Sequence, residues 1–574
     1  MPKTKAKKII VNGKEYFTKE KFLLKALEEF GFNIPHLCFH EDLEPLATCR
    51  LCVVEVNGKI TTSCNTVVSE GMKVNTETEE VIEYRRHNLE LILSNHALDC
   101  DYCYRNLHCD LQRIAEQITN KTRYSGKLRK HEVDESSNAI VKDFEKCILC
   151  GRCIQVCNKQ SVNVFDYVQR GFSTIVSTAL DIPISSSPCV GCGQCVIHCP
   201  TAALIEKDET QKVLDAIKDP EKIIIAQIAP AVRVSIGEEL GLKPGTIMTK
   251  KLVSALKQIG FDKVFDTSLG ADFTIMEEAS ELVDRINNNK TLPMLTSCCP
   301  AWVNFVEEFY PDFILNLSTT KSPHEILGAL IKTYYAKKNN INTDKIFVVS
   351  IMPCTAKKLE VLRPELRVNN LLPIDAVLTT REIGKLLREF GVELKKIEEQ
   401  DFDDFMSASS AGQIFGTTGG VMEAALRTAS FILTGINDES KIEYKEIRGI
   451  KGVKIASYTL GNKELRVGVV NELGNARKIL EKIKSGRLKI DFLEVMACPG
   501  GCIGGGGQPL TTNKNIIKQR MKALYIIDKK SKIRFCHENP ILKDIYLEFL
   551  ERPLSEKSEE LLHTKYFKQK QYKI

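Results

Sequence analysis

With 574 residues the chain is long enough for about four domains. Its composition, 43% hydrophobic and 27% charged, suits soluble globular cores, and a net charge of +6 over that length excludes a dedicated nucleic-acid binder. No run of about 18 apolar residues exists and the N-terminus lacks a signal peptide's apolar core and cleavage site, so no membrane role and a cytoplasmic location are expected. Lys3, Lys5, Lys7 and Lys8 read as a solvated tail.

Cysteine is the exceptional residue: 21 thiols, most at intervals of two or three residues. In a cytoplasmic protein thiols stay reduced, which argues against a disulfide framework. Zinc ribbons take two C-x2-C pairs, whereas whole quartets recur here, the pattern of iron–sulfur ligation. Within residues 1–80, Ile9-Ile10-Val11 and Tyr16-Phe17 flank Asn12-Gly13, a hairpin signal. Lys19 to Phe30 has helical periodicity closed by Gly31. Cys38, Cys49, Cys52 and Cys64 follow as C-x10-C-x2-C-x11-C. The segment reads as a β-grasp ferredoxin holding one 2Fe–2S cluster, with a longer first gap than the plant-type spacing.

Residues 81–125 carry a helical run, Val81 to Leu93, and then His96-x3-Cys100-x2-Cys103-x5-Cys109. Three cysteines leave a 4Fe–4S cubane one ligand short. His96 lies at a suitable distance to complete it, and His108, beside Cys109, is an equally near rival. Residues 126–209 open on a polar linker and then carry Cys147-x2-Cys150-x2-Cys153-x3-Cys157 and Cys189-x2-Cys192-x2-Cys195-x3-Cys199-Pro200. This is the bacterial two-cluster run twice, with Asn158 replacing the first proline. The fourth cysteine of each copy serves the other cluster. One cubane therefore takes Cys147, Cys150, Cys153 and Cys199, the other Cys157, Cys189, Cys192 and Cys195.

Residues 210–574 alternate β-branched runs with amphipathic helical stretches: Ile223 to Ala226, Ile346 to Met352, Ala376 to Leu378, Val467 to Val470 and Phe492 to Met496. That alternation predicts parallel sheets with crossover helices. Three cysteine islands sit where such strands end. They are L-T-S-C-C-P-A-W with Cys298 and Cys299, I-M-P-C-T-A-K-K with Cys354, and V-M-A-C-P-G-G-C-I-G-G-G-G with Cys498 and Cys502. Strand carboxyl ends are the usual ligand position in an open α/β sheet, and glycine lets backbone approach a bulky object. A cubane takes four of these five thiols, and spacing leaves open whether Cys298 or Cys299 is spare. Cys536 reads as structural, and the basic tail from Ile541 as a surface wrap.

The three islands together resemble the signature segments of the FeFe (iron-only) hydrogenases, and the resemblance covers essentially the whole chain. It implies a multidomain α/β and α+β protein: a β-grasp domain, a His/Cys cluster domain, a two-cluster ferredoxin domain and a large two-lobed H-cluster domain. It selects His96 as the cubane's fourth ligand. It implies that Cys299, Cys354, Cys498 and Cys502 hold a 4Fe–4S cubane. Cys502 would bridge to a di-iron unit with carbon monoxide, cyanide and azadithiolate ligands. Cys298 would then be the proton donor, followed by Glu278, Ser318, Glu281 and Arg285. Lys357, Met352, Met496, Ala229 and Pro230 match pocket positions. Where the family commonly has A-P-S-V-R and K-S-P-Q, this chain has Ala231 and His324, so a hydroxyl donor is missing and a group able to titrate near neutral pH is added.

The implied reaction is reversible formation of hydrogen from two protons and two electrons. Electrons would pass through one 2Fe–2S and three accessory 4Fe–4S clusters to ferredoxin or a similar soluble carrier. The implied partners are that carrier and the hydrogenase maturation enzymes, with the chain a monomer. Residues 1 to about 200 also resemble the iron–sulfur subunit of respiratory NADH dehydrogenase. A purely electron-carrying role leaves the five later cysteines without a purpose.

Overall fold

A computed structural model describes residues 5–126, 131–403, 408–437, 442–461, 463–570 and 572. Lys3 lies outside these. The chain divides into two compact units. The first comprises residues 1–158, 163–187 and 198–205, the second 159–162, 188–197 and 206–574.

The first unit contains a five-stranded sheet in the order Lys14–Thr18, Lys7–Val11, Met72–Asn75, Val53–Val56, Lys59–Thr62. Asn12 (φ 48°) and Gly13 (φ 81°) make the tight hairpin turn that their residue types favour. Lys7 and Lys8 are therefore strand residues, correcting the expected tail. Lys7 Nζ donates to the Val68 carbonyl at 2.6 Å and Lys8 pairs with Glu15 at 2.5 Å. The helix Leu23–Glu29 buries Leu23, Leu24, Ala26 and Leu27 against the sheet's Ile9, Val11 and Val54. A second helix, Glu79–Leu93, starts where the Thr78 hydroxyl accepts from Val81 N at 3.3 Å. Its Leu89 and Leu93 pack with Leu111 and Ile114 of the helix Asp110–Ile118.

The second unit holds two four-stranded sheets. One, in the order Lys263–Asp266, Ile223–Ile228, Ile346–Met352, Ala376–Thr379, is parallel throughout. The other runs Met294–Leu295, Phe492–Met496, Lys463–Asn471, Val453–Leu460. Its first three strands are parallel and the last pairs antiparallel, turning at Gly461 (φ 59°). Strands such as I-I-I-A-Q-I and I-F-V-V-S-I-M are near-continuous apolar runs because helices cover both faces of a parallel sheet.

The C-terminal segment is no surface wrap. Ile545, Leu550, Leu561 and Leu562 are buried in the core around the first of these sheets. Tyr546, Ser558 and His563 converge on the buried carboxylate of Glu277, Tyr546 donating at 2.6 Å. Apolar residues cluster in Ile541–Leu550 and at Leu561-Leu562, so these parts fill core space while Lys543, Lys565 and Lys568 stay outside. Cys536 is fully buried beside the Thr428 hydroxyl at 3.1 Å. Among the described residues no helix is long and apolar enough to cross a membrane.

Candidate metal centre

In the second unit, the segments leaving the carboxyl ends of both sheets' strands meet around one cavity of about 80 Å³. Ala229, Pro230 and Ala231 follow the strand Ile223–Ile228, and Met352, Pro353 and Cys354 close Ile346–Met352. Met496 and Cys498 close Phe492–Met496, and Cys298 and Cys299 follow Met294–Leu295. Parallel pairing sends all these loops out at one end, the position where open α/β sheets bind ligands. The glycines around Cys502 serve this convergence. Gly501 has φ 95° and a Cβ on it would stand 2.6 Å from Thr418 N, while one on Gly505 would stand 2.1 Å from the Pro353 carbonyl oxygen. The bulky object that they allow the loop to approach is neighbouring backbone.

All five thiols line the cavity, and every described cysteine is unbridged. The local electrostatics divide the five. Burial pushes the Cys502 thiol up, and Cys299 and Cys354 push it further. After burial, Cys354 and Cys299 act first on Cys498. Cys298 instead answers, after burial, to Glu278. Cys299 and Cys354 thus act on both Cys498 and Cys502, while Cys298 answers first to Glu278 and next to Cys299 and Cys502.

Lys357, on the helix Lys357–Glu360, donates to Glu360 Oε2 at 2.6 Å and to the Cys298 carbonyl at 3.3 Å. Burial alone would lower its ammonium, but Glu360 outweighs that and holds it above its ordinary range. Glu360 Oε2 also lies 2.7 Å from His324 Nε2, and His324 Nδ1 lies 2.9 Å from Ser350 Oγ. Burial and then Lys357 lower His324 to about 4. The expectation of a charge change near neutral pH is therefore corrected: a buried imidazole beside an ammonium stays neutral. It donates from Nε2 to Glu360 and accepts at Nδ1 from Ser350. Beside it, Glu325 is fully buried with both carboxyl oxygens unpartnered, and burial followed by Glu360 raises it to about 8. Glu360 and Glu325 were missed in the sequence. The Lys357–Glu360 i,i+3 spacing was the available sign for the first. Ala231 is fully buried, and its carbonyl accepts from Ser235 Oγ at 2.8 Å and Gln508 Nε2 at 3.2 Å.

Glu278, Glu281 and Arg285 share one buried face of the helix Thr267–Asn287. Neither Glu278 oxygen makes a hydrogen bond of normal geometry, although the Ser318 hydroxyl acts on its carboxyl. Burial, then Glu281 and Glu494, push its carboxyl well above the usual range, so it is held protonated. Ser318 Oγ donates to Glu281 Oε2 at 2.7 Å. Arg285 Nη2 donates to Glu281 Oε1 at 2.6 Å and to the Leu317 carbonyl at 2.8 Å. These residues make a buried polar run beginning at the carboxyl that acts on Cys298.

The profile of the iron only hydrogenase large subunit, C-terminal domain, matches residues 222–506, and that of the iron hydrogenase small subunit matches residues 514–569. A 2Fe-2S iron-sulfur cluster binding domain matches 6–79, an NADH-ubiquinone oxidoreductase-G iron-sulfur binding region 85–123, and a 4Fe-4S dicluster domain 146–203. The chain is 44% identical over 579 residues to NADP-reducing hydrogenase subunit HndD of Solidesulfovibrio fructosivorans, covering 98% of each chain. It is 39% identical over 576 residues to iron hydrogenase 1 of Clostridium pasteurianum, covering 98% of this chain and 100% of that one. The chain belongs to the FeFe hydrogenase family. Among solved structures, a variant of apo FeFe-hydrogenase HydA1 from Chlamydomonas reinhardtii aligns with a TM-score of 0.58 and 41% identity, over 63% of this chain and all of that one. As an FeFe hydrogenase, the chain forms and oxidises hydrogen at an H-cluster and carries accessory iron–sulfur clusters.

The residues of this hydrogenase fit such groups. In the first unit, Cys38, Cys49, Cys52 and Cys64 are all buried, with Cys38 in hydrogen-bond reach of Cys49 and Cys64, and Cys52 of Cys64. His96 is buried with Nδ1 unpartnered, and burial lowers its pKa to about 4. Its imidazole is thus neutral with a free lone pair, as a metal ligand requires, whereas His108 is exposed. Cys100 and Cys109, both raised first by burial, also feel Cys103. Cys150 answers, after burial, to Cys153 and to Cys199 of the second motif copy. Cys157 belongs to the first unit, its sulfur 3.2 Å from Val164 N, and Cys189, Cys192 and Cys195 belong to the second.

Proposed function

We propose that this hydrogenase exchanges electrons with a soluble ferredoxin-type carrier through one 2Fe–2S and three 4Fe–4S accessory clusters. The ligands are the four cysteine sets read from the sequence, with His96 completing the second. Cys299, Cys354, Cys498 and Cys502 hold the cubane of the H-cluster. When bound, the H-cluster supplies the redox-active iron at which protons and electrons become hydrogen.

The chain's own residues handle the proton. Cys298 Sγ–H gives its proton toward the cavity and takes the next from the Glu278 carboxyl. Glu278 is competent because burial keeps it protonated, and a relay donor must hold its proton at working pH. Ser318, which donates to Glu281 Oε2, passes a proton by rotating its hydroxyl between the two glutamates, and Arg285 holds Glu281 in place. Lys357 presents an ammonium to the cavity, anchored by Glu360, and the apolar Met352, Met496 and Pro353 exclude water.

The observation that carries this reading is the cavity at the strand ends, lined by all five thiols, where Cys299 and Cys354 act on Cys498 and Cys502 and Glu278 acts first on Cys298. The test is anaerobically matured protein supplied with hydrogen and either purified ferredoxin or NADP⁺. Carbonyl and cyanide infrared stretches that shift under hydrogen, with direct reduction of ferredoxin, support it. Activity with viologen dyes but none with ferredoxin overturns the carrier assignment.

The 44% identity with a subunit of an NADP-reducing hydrogenase favours a second reading. In it, the chain is the hydrogen-active subunit of a larger enzyme. NADP⁺ reduction would then appear only after NADP-linked subunits are added.

A further inference from the structure

Lys142, at the end of the strand Ile140–Lys142, is among the largest fully buried side chains of the protein, 1% exposed. Its Nζ has no hydrogen-bond partner. Among the described residues no carboxylate pairs with it, and the adjacent Asp143 turns to Lys146 at 3.4 Å instead. The ammonium sits 5.5 Å from the Phe144 ring centroid and 6.0 Å from that of Phe165. Two aromatic faces are weak compensation for removing a full positive charge from water, and such a charge persists only beside negative charge.

The negative groups that reach it are the sulfurs of Cys147, Cys153, Cys199 and Cys150, and no others dominate. Burial would lower the Lys142 ammonium, yet these four hold it above its ordinary range. They are the four ligands expected for one accessory cubane, three from the first motif copy and one from the second. The second copy offers a built-in contrast. Lys142 stands five residues before Cys147, and the residue five before Cys189 is the buried, uncharged Ile184.

We propose that Lys142 is a buried counter-charge that raises the reduction potential of the cubane held by Cys147, Cys150, Cys153 and Cys199. The inference rests on the ligand assignment proposed above. A cubane with four thiolates gains one negative charge on reduction, so a fixed cation in a low-dielectric site stabilises the reduced form more than the oxidised one. The consequence is a step in the electron path: this cubane fills before the other cubane of the repeat, whose motif lacks the cation. Lys142 acts through space and exchanges neither proton nor electron.

The test is an EPR-monitored redox titration of the full-length, cluster-loaded protein in the wild type, Lys142→Met, Lys142→Gln and Lys142→Arg, with iron content measured on each. Lys142→Met and Lys142→Gln are expected to make one cubane at least tenfold harder to reduce, a midpoint lower by about 59 mV for a one-electron couple. The other midpoints stay unchanged and Lys142→Arg stays near wild type. Unchanged midpoints in fully loaded Lys142→Met and Lys142→Gln overturn the proposal. So does an equal shift in Lys142→Arg, which would indicate packing rather than charge. If the Met and Gln variants lose one cubane that the Arg variant keeps, the cation is required for that cluster and the proposal stands; loss in all three overturns it. Cys147→Ser separates this inference from its premise. The signal that moves in the Lys142 variants must be the one altered in Cys147→Ser, and intact cubane signals there would refute the ligand set instead.

Discussion

Glu278 and Glu281 lie one helical turn apart, and replacing each by glutamine should produce opposite balances of lost activity and lost stability. Glu278 is buried and protonated, without a hydrogen bond of normal geometry. Glutamine reproduces its shape and neutrality, so folding stability should change by no more than about 1 kcal/mol. The side chain can no longer donate a proton and regain it, and turnover should fall by roughly 10²–10⁴-fold, the range of a lost general acid. Glu281 instead receives Arg285 at 2.6 and 3.1 Å, Ser318 at 2.7 Å and the Thr319 amide at 3.2 Å. Glu281→Gln strands the buried guanidinium, and breaking a buried pair this way costs about 3–5 kcal/mol. Both variants should lose turnover, and only Glu281→Gln should unfold earlier, by roughly 4–6 °C at a common scan rate. The assay is hydrogen evolution from reduced viologen, beside thermal unfolding and the carbonyl infrared bands as a check on cluster loading. Glu278→Gln with more than a tenth of wild-type turnover would refute the relay, and equal unfolding temperatures would refute the account of Arg285.

Cys298→Ala should nearly abolish turnover while iron content and the carbonyl bands remain, because a non-ligand thiol is removed; loss of those bands would make Cys298 a ligand. An anaerobic iron assay should find ~20 irons per matured chain, two in the 2Fe–2S cluster, twelve in three cubanes and six at the H-cluster. Protein made without maturation enzymes should keep its accessory clusters and evolve no hydrogen. His324, lowered to about 4 in the folded protein, binds its proton more tightly when unfolded, so its contribution to stability declines as pH falls from about 6.5 toward 4. Relative to His324→Gln, the wild type should lose ~2 kcal/mol between pH 7 and 5, read from urea unfolding at each pH; parallel curves would show that the imidazole is not buried neutral. Ala231→Ser restores a hydroxyl at the cavity wall and should change the ratio of oxidative to reductive current on an electrode; an unchanged ratio would leave that position without a tuning role.

The sequence by itself determined everything that local spacing encodes. Cysteines recurring at two- and three-residue intervals marked the iron–sulfur domains that the family profiles match, and β-branched runs marked the strands that end at Cys354 and Cys498. The Asn12-Gly13 turn was legible because positive φ is a property of those two residues. What spacing does not encode is the company that a side chain keeps across hundreds of residues. Cys298 and Cys299 are neighbours in the chain, and only the packed helix Thr267–Asn287 brings the Glu278 carboxyl to bear on Cys298, while Cys299 acts on Cys498 and Cys502. His324 has the composition of a neutral-pH switch, but burial beside Lys357 removes its charge. Lys142 and the tail beyond Ile541 look like surface residues by type, and tertiary structure buries both. The physical reason is the same each time. Desolvation and the charges that answer it depend on three-dimensional surroundings, and these exist only once the sheets and helices have packed.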